Sequence, residues 1–247
     1  MVCISIYKQN EQTYHTMNLS ETFFLNGYTE IELKDSSAKN IFLKSIEDAR
    51  NNNFNKDKFS WKSKYPGTED FRESAFDYSA SFIDVLFESD IPNLIEKYTN
   101  YKKVTLAHIQ LRKSYPGNSY MDWHRDNYFD QGKKVGPFPP SVKIIFYPVF
   151  EKEEDCLNVI PGSHIRFFEN RSQDSEVNSK FPNKIIKSSN HKVILFDTSL
   201  WHSAINGSDP KGSIRVIYSF ANQDQYQENF SNKEVHQKIN QYYEERL

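Results

Sequence analysis

Val104-Thr-Leu-Ala-His-Ile-Gln-Leu-Arg112 is the stretch at which this 247-residue chain changes its period. Upstream, apolar residues recur at three- and four-residue steps. Residues 37–49 place Ile41, Phe42 and Ile46 near one side, and residues 71–87 carry Phe71, Ala75, Tyr78, Phe82 and Leu86 along one helical stripe. A third helix is expected from Pro92, a residue suited to a first turn, to about Tyr98. From Val104 onward alternation takes over, with Thr105, Ala107, Ile109 and Leu111 on one side and Leu106, His108, Gln110 and Arg112 on the other. That second face is unusually polar for a strand beside a core. Residues 142–150, 193–196 and 214–220 are rich in Val, Ile, Phe and Tyr and also read as strands, and residues 232–247 read as a closing helix. Helices first and strands afterwards, without βαβ alternation, predict a mainly β fold: an antiparallel sheet system with bracing helices. No linker interrupts it. A single domain is expected over 1–247, with a helical part at about 19–100, a strand-built core at about 103–221 and a C-terminal helix at about 232–247.

Composition narrows the function classes. Lys+Arg 31 against Asp+Glu 33 leaves a formal net charge of -2 with no dense basic tract, so the counterion-release drive toward duplex nucleic acid is weak and no nucleic-acid partner is expected. No apolar run approaches the ~18 residues of a membrane span, and the N-terminal Met1-Val-Cys-Ile-Ser-Ile-Tyr-Lys8 lacks the basic and apolar regions of a secretion signal. The chain contains 2 cysteines, Cys3 and Cys156, which excludes a disulfide framework and predicts a reduced, cytoplasmic setting. Oligomeric state has no signature here.

Among the 7 histidines, His124 and Asp126 form an HxD within Met121-Asp-Trp-His-Arg-Asp126. In extended backbone, positions i and i+2 share a face, which sets an imidazole and a carboxylate side by side as two metal ligands. His202, in Phe196-Asp-Thr-Ser-Leu-Trp-His202 just past an apolar strand, is the best third ligand. Two His and one carboxylate on one side of an octahedron leave open positions, the arrangement expected of non-haem Fe(II) oxygenases. Arg215 opens a strand 13 positions later, and its planar guanidinium suits bidentate pairing with the far carboxylate of a dicarboxylic cosubstrate. Lys143, in an otherwise apolar strand, is open to two readings, facing the cavity or, more simply, snorkelling to solvent.

Taken together, Trp123-His-Arg-Asp126, Val159-Ile-Pro-Gly-Ser-His164, Leu200-Trp-His202 and Arg215 resemble the phytanoyl-CoA dioxygenase-like branch of the Fe(II)/2-oxoglutarate-dependent oxygenases. Phe23-Phe-Leu-Asn-Gly-Tyr28 and Tyr115-Pro-Gly117 are similar to upstream parts of such proteins, so the likeness covers about residues 19–221. The resemblance implies a double-stranded β-helix, or jelly roll, with Fe(II) on His124, Asp126 and His202, 2-oxoglutarate on Arg215, and O2 as the second cosubstrate. It also implies hydroxylation of an unactivated C–H, because halogenating relatives replace the carboxylate that Asp126 retains. His164 is expected to serve the turn it belongs to and not the metal.

Two positions depart from the pattern. Ala204 stands where relatives often have a hydroxyl residue that helps hold the cosubstrate, and Asp155 stands where many have Gly. Gln110 is therefore expected to assist Arg215. The substrate is expected to be a small molecule, anionic or acyl-type, covered by residues 127–140 with Tyr128, Phe129, Lys133, Lys134 and Phe138 overhanging the mouth. A peptidyl or amino-acid hydroxylase of the same fold, and a catalytically silent jelly-roll binding module, are the alternatives.

Overall fold

The computed structural model describes residues 19–71, 75–99, 104–117, 122–126, 128–130, 133–135, 141–165, 180–205, 207–222 and 233–247. The switch at Val104 begins β4 (Val104–Ser114), the long strand around which the rest assembles. It pairs on one side with β12 (Ser213–Asn222) and on the other with β3 (Thr68–Asp70). The sheet then extends through β7 (Ser141–Phe146) and β10 (Lys192–Asp197) to β1 (Tyr28–Glu32), and through β3 to β2 (Lys62–Tyr65). Its order is β1-β10-β7-β12-β4-β3-β2, with every pair antiparallel. A smaller sheet, β11-β8-β9, is built from β8 (Asp155–Val159), β9 (Lys184–Lys187) and β11 (His202–Ala204). Two sheets of antiparallel strands closed over an inner face make the expected jelly roll. The backbone of β5 (Tyr128–Asp130) and β6 (Lys133–Val135) forms a separate hairpin; the side chains expected to overhang the mouth, and Phe138, lie outside the described residues.

Strand parity divides the core in two. Ile109 and Leu111 of β4, Val142, Ile144 and Phe146 of β7, Val193 and Leu195 of β10, and Val216, Tyr218 and Phe220 of β12 all face the helical layer. That layer comprises α1 (Leu19–Asn26), α2 (Ser37–Arg50), α3 (Ala75–Tyr78), α4 (Ser81–Glu88), α5 (Ile91–Thr99) and α6 (Lys233–Glu244). Phe42 sits at its centre, edge-on to Phe82 at 5.3 Å and tilted against Phe146 at 5.2 Å. Helix α2 starts where Ser36, in extended backbone, accepts the Lys39 N–H at 3.1 Å. The intervening residues Tyr28, Ile145, Ile194, Phe196 and Ile217 face inward, against Leu157 and Val159 of the small sheet. No helix among the described residues is long and apolar enough to cross a membrane.

Three sequence expectations are corrected. The alternation in β4 does not run unbroken: the register jumps between Ser219 and Phe220, pairing His108 with Ser219 but Leu106 with Phe220, so Ala107 is an extra residue. The bulge turns Leu106 to the helical side with Ile109 and leaves His108, Gln110 and Arg112 inward, which explains the polarity of that face. The helix expected over 71–87 is split. Ser79 Oγ bonds Ser81 Oγ at 2.7 Å and accepts the Ser81 N–H at 3.4 Å, a local alternative to helical pairing, while Phe71 stays with β3 through its N–H to Leu111 O at 2.7 Å. The part read as helical, 19–100, also supplies β1, β2 and β3, because strands that complete a sheet edge gain pairing that a local period does not register.

Candidate active site

His124 and His202 are joined through their backbones before their side chains meet. An isolated bridge links the segment 122–126 to the start of β11, with His124 N–H donating to His202 O at 2.9 Å and His202 N–H to His124 O at 3.0 Å. Residues paired in this way project to one side, and the two rings lie 4.2 Å apart between centroids. Each ring is then oriented by the carbonyl two residues before it: His124 Nδ1 lies 2.7 Å from Asp122 O, and His202 Nδ1 2.8 Å from Leu200 O. A carbonyl only accepts, so both Nδ1 atoms carry the proton and both Nε2 atoms present a lone pair.

Those lone pairs face Asp126. His124 Nε2 is 3.9 Å from Asp126 Oδ1, and His202 Nε2 is 3.8 Å from Asp126 Oδ2. One ligand atom from each of the three lies within 4.8 Å of the others. His124 Nε2 is also buried without a hydrogen-bond partner among the described residues, a costly arrangement unless something else fills its coordination. The donor set of two neutral imidazoles and a carboxylate fits a divalent first-row metal.

The electrostatics agree. Burial pushes both imidazoles down, and His202, with His124 beside it, falls to about 3, so both stay neutral at physiological pH. Burial alone would raise the Asp126 carboxyl, but the Lys143 ammonium and the two imidazoles outweigh it and hold it at about 2. Lys143 therefore does not snorkel. It lies on the inner face opposite Ser219, and its Nζ donates to Asp126 Oδ2 at 2.7 Å.

Arg215 is on the same inner face, paired with Arg112 across β4 and β12, two inward positions from Ser219. It is 4 % exposed, and its charge acts on both His124 and Cys156. A cavity of about 180 Å³ beside it is lined by Arg215, Tyr147, Cys156, Ser114 and Ser213 and also by the acidic residues Glu151, Glu154, Asp155 and Asp209. Burial raises the Cys156 thiol, which donates to Ile186 O at 3.1 Å. Gln110 is inward as well, but its Nε2 donates to Asp70 Oδ2 at 2.8 Å. Arg112 grips the same carboxylate, with Nε to Oδ1 at 2.6 Å and Nη2 to Oδ2 at 3.0 Å. The structure thus brings Gln110 into a buried network with Asp70 and Arg112, the residue paired with Arg215 across β4 and β12.

His164 bonds outside its own turn, with Nε2 3.0 Å from Phe24 O in α1, while the neighbouring Ser163 Oγ accepts the Trp201 N–H at 2.9 Å and so fixes the residue before His202. Trp201 packs with Trp123 and Ile160, and the Arg125 guanidinium lies over its ring at 4.8 Å. Sequence reasoning missed Asp70 and, for Lys143, preferred solvent over the cavity side on which the structure puts it. The parity of Lys143 with Ile145, which does face inward, is the signal that locates it.

By sequence, no family profile and no curated protein matches the chain. By structure it is similar to HygX from Streptomyces hygroscopicus, determined with nickel and 2-oxoglutarate bound, at 15% identity over 81% of this chain and 85% of that one, TM-score 0.57. It is also similar to the non-heme alpha ketoglutarate dependent carbocyclase SnoK of nogalamycin biosynthesis, at 11% identity, 89% coverage of both chains and TM-score 0.63. EvdMO1 matches at 17% identity over 83% of this chain with TM-score 0.60, and the chain spans only 49% of EvdMO1. These likenesses establish the shared jelly-roll fold.

Proposed function

We propose that this protein is a non-haem Fe(II)/2-oxoglutarate-dependent dioxygenase, of the phytanoyl-CoA dioxygenase-like kind, that hydroxylates an unactivated C–H of a small molecule. The observation that carries the proposal is the triad: two imidazole lone pairs and one ionised carboxylate converge at one point, with a buried guanidinium on the same inner face. His124, Asp126 and His202 would hold the metal, and Arg215 the far carboxylate of 2-oxoglutarate. When bound, iron and 2-oxoglutarate supply the oxidising power, consuming O2 and releasing succinate and CO2 as the substrate is hydroxylated.

The chain's own part is positioning. Asp122 and Leu200 carbonyls lock the imidazole tautomers, Lys143 holds one oxygen of Asp126 so that the carboxylate keeps one orientation, and Arg215 fixes the cosubstrate's direction in the barrel. Leu157, Val159, Ile145 and Ile217 exclude water around it. A reducing, cytoplasmic setting fits the composition of 2 cysteines.

A small anionic or acyl-type substrate is favoured over nucleic acid by the net charge of -2 and by the Lys143 ammonium beside the triad. The neighbours' carbocyclase and epimerase descriptions keep a second outcome of C–H activation in view, in which hydrogen removal leads to ring closure or inversion instead of hydroxylation. Anaerobic Fe(II) titration followed by substrate-dependent succinate production across metabolite, peptide and oligonucleotide panels tests the proposal. Asp126→Ala should abolish turnover and metal binding while the fold persists. Full turnover in that variant would overturn the assignment, wild type that takes up no metal would leave the silent binding module, and coupled turnover on peptides alone would transfer the substrate class.

A further inference from the structure

Asp70, Arg112 and Arg215 stand in one row across three strands. Asp70 pairs directly with Arg112 between β3 and β4, and Arg112 pairs directly with Arg215 between β4 and β12. All three are buried, at 6 %, 7 % and 4 % exposure. Side chains directly opposite in an antiparallel pair lie about 4.5–5.5 Å apart at Cβ, where like charges are destabilising, so two facing buried arginines call for a compensating group. Asp70 supplies it on the Arg112 side. Its Oδ1 accepts from Arg112 Nε at 2.6 Å, and its Oδ2 accepts from Arg112 Nη2 at 3.0 Å and from Gln110 Nε2 at 2.8 Å. Both oxygens are thus taken by β4 side chains, and the Phe71 N–H to Leu111 O bond at 2.7 Å ties the adjacent backbone to the same strand. A buried ion pair is often no more stable than apolar side chains of similar volume, so stability alone does not account for this one. Its effect on charge does. Two guanidinium cations and one carboxylate leave the row with a single net positive charge, which one arriving carboxylate offsets.

Resting on the dioxygenase reading, we infer that Asp70 is a positioning residue for the cosubstrate: by binding Arg112 it makes Arg215 the cation that holds the far carboxylate of 2-oxoglutarate, and it sets how tightly that carboxylate is held. Gln110 then acts through Asp70, by fixing its carboxylate. Asp70 stands one strand beyond Arg112, so its charge reaches the cosubstrate as a field and not as a contact. A unit charge about 10 Å away, in surroundings of effective dielectric ~20 and with some screening by salt, changes affinity by about tenfold. Removing this acid should therefore strengthen the binding of another acid. A residue that serves the fold alone would not do that.

Calorimetric titration of the Mn(II)-loaded full chain with 2-oxoglutarate, in a buffer of low ionic strength, reads this without turnover. Asp70→Asn should bind 2-oxoglutarate about tenfold more tightly than wild type. Arg112→Gln, which leaves the Asp70 carboxylate to oppose the arriving one, should bind it about tenfold more weakly. The double variant, with both charges removed, should return to within about threefold of wild type. Affinity for Mn(II), measured before the acid is added, should change much less in each. If Asp70→Asn does not fold, Arg112→Gln and the double variant decide: recovery in the double variant supports the inference, and a double variant as weak as Arg112→Gln overturns it. Unchanged or weaker binding in Asp70→Asn would overturn it too, as would changes in Mn(II) affinity as large as those for the acid, and each of these results leaves the dioxygenase reading standing. Wild type that takes up Mn(II) and binds no 2-oxoglutarate would remove both.

Discussion

Replacing Lys143 with Met separates what the lysine does for the metal-free protein from what it does for the loaded one. Its Nζ and Asp126 Oδ2 are 2.7 Å apart, with side-chain exposures of 22% and 14%, so solvent screens the pair only partly. Burial by itself pushes the Asp126 carboxyl up, and Lys143 is the largest influence holding it down. Losing one partner of a buried pair costs about 3–5 kcal/mol, and partial exposure together with the option of protonating Asp126 places the expected loss near ~3 kcal/mol. For a chain of this size each kcal/mol moves the melting temperature by about 2–4 °C, giving a fall of roughly 6–12 °C in the presence of EDTA. A divalent metal bound to Asp126 supplies the missing positive charge. In saturating Mn(II) the deficit should therefore shrink, and the variant should bind Mn(II) more tightly than wild type because a repelling ammonium has gone. Differential scanning fluorimetry with and without Mn(II) reads both effects. An equal deficit in the two conditions would show that Lys143 acts somewhere other than on Asp126, and no deficit in EDTA would show that water screens the pair fully.

Arg215→Met should raise the 2-oxoglutarate requirement by tens to thousands of fold, equivalent to about 2–5 kcal/mol for a buried charged partner, with the Mn(II) affinity little altered; equal calorimetric affinity for 2-oxoglutarate would place the carboxylate elsewhere. Acid should destabilise the metal-free protein. His202 falls from 6.5 to about 3 on folding and Asp126 from 3.8 to about 2, so the unfolded chain binds more protons throughout that interval. Stability present above about pH 6.5 should be lost first through the imidazole, by ~4 kcal/mol as pH falls toward 3, and then through the carboxylate between about 3.8 and 2, which urea midpoints against pH would record; a flat profile from pH 7 to 4 would contradict it. Gly27→Ala should cost about 2–4 kcal/mol, since Gly27 has φ +77 and a Cβ there would press on the His164 ring and reach within 2.8 Å of Leu200 Cδ1; an unchanged melting temperature would mean that the turn relaxes without penalty.

The three residues of the triad could be picked out because each stands in a short local signature, an i, i+2 pair or a histidine at the end of an apolar strand, that needs no knowledge of distant contacts. Arg215 was read from its place at the start of an apolar strand, and the structure puts it on the inner face of that strand. Lys143 was not, since Val142, Ile144 and Phe146 face the helices while Ile145 faces inward, and a strand apolar on both sides gives alternation no sign to read. Asp70 escaped because its partners, Gln110 and Arg112, are 40 and 42 positions away. Gln110 itself was placed on the polar face of β4, but the carboxylate that claims its amide belongs to the part read as helical. The bulge at Ala107 depends on what β12 presents opposite, which β4 alone does not encode.

The pair of backbone hydrogen bonds between His124 and His202 has a kinetic meaning as well as a geometric one. In small zinc-dependent domains the ion assembles its own ligands, so chelation unfolds the chain. Here two of the three residues proposed as ligands are fastened to each other by peptide groups, and their rings are aimed by backbone carbonyls. Removing the ion should leave a vacant but finished socket, so recharging would proceed at the pace of diffusion and dehydration without waiting for the chain to reorganise. On the proposed iron reading, emptying and refilling the site would leave the surrounding chain unchanged.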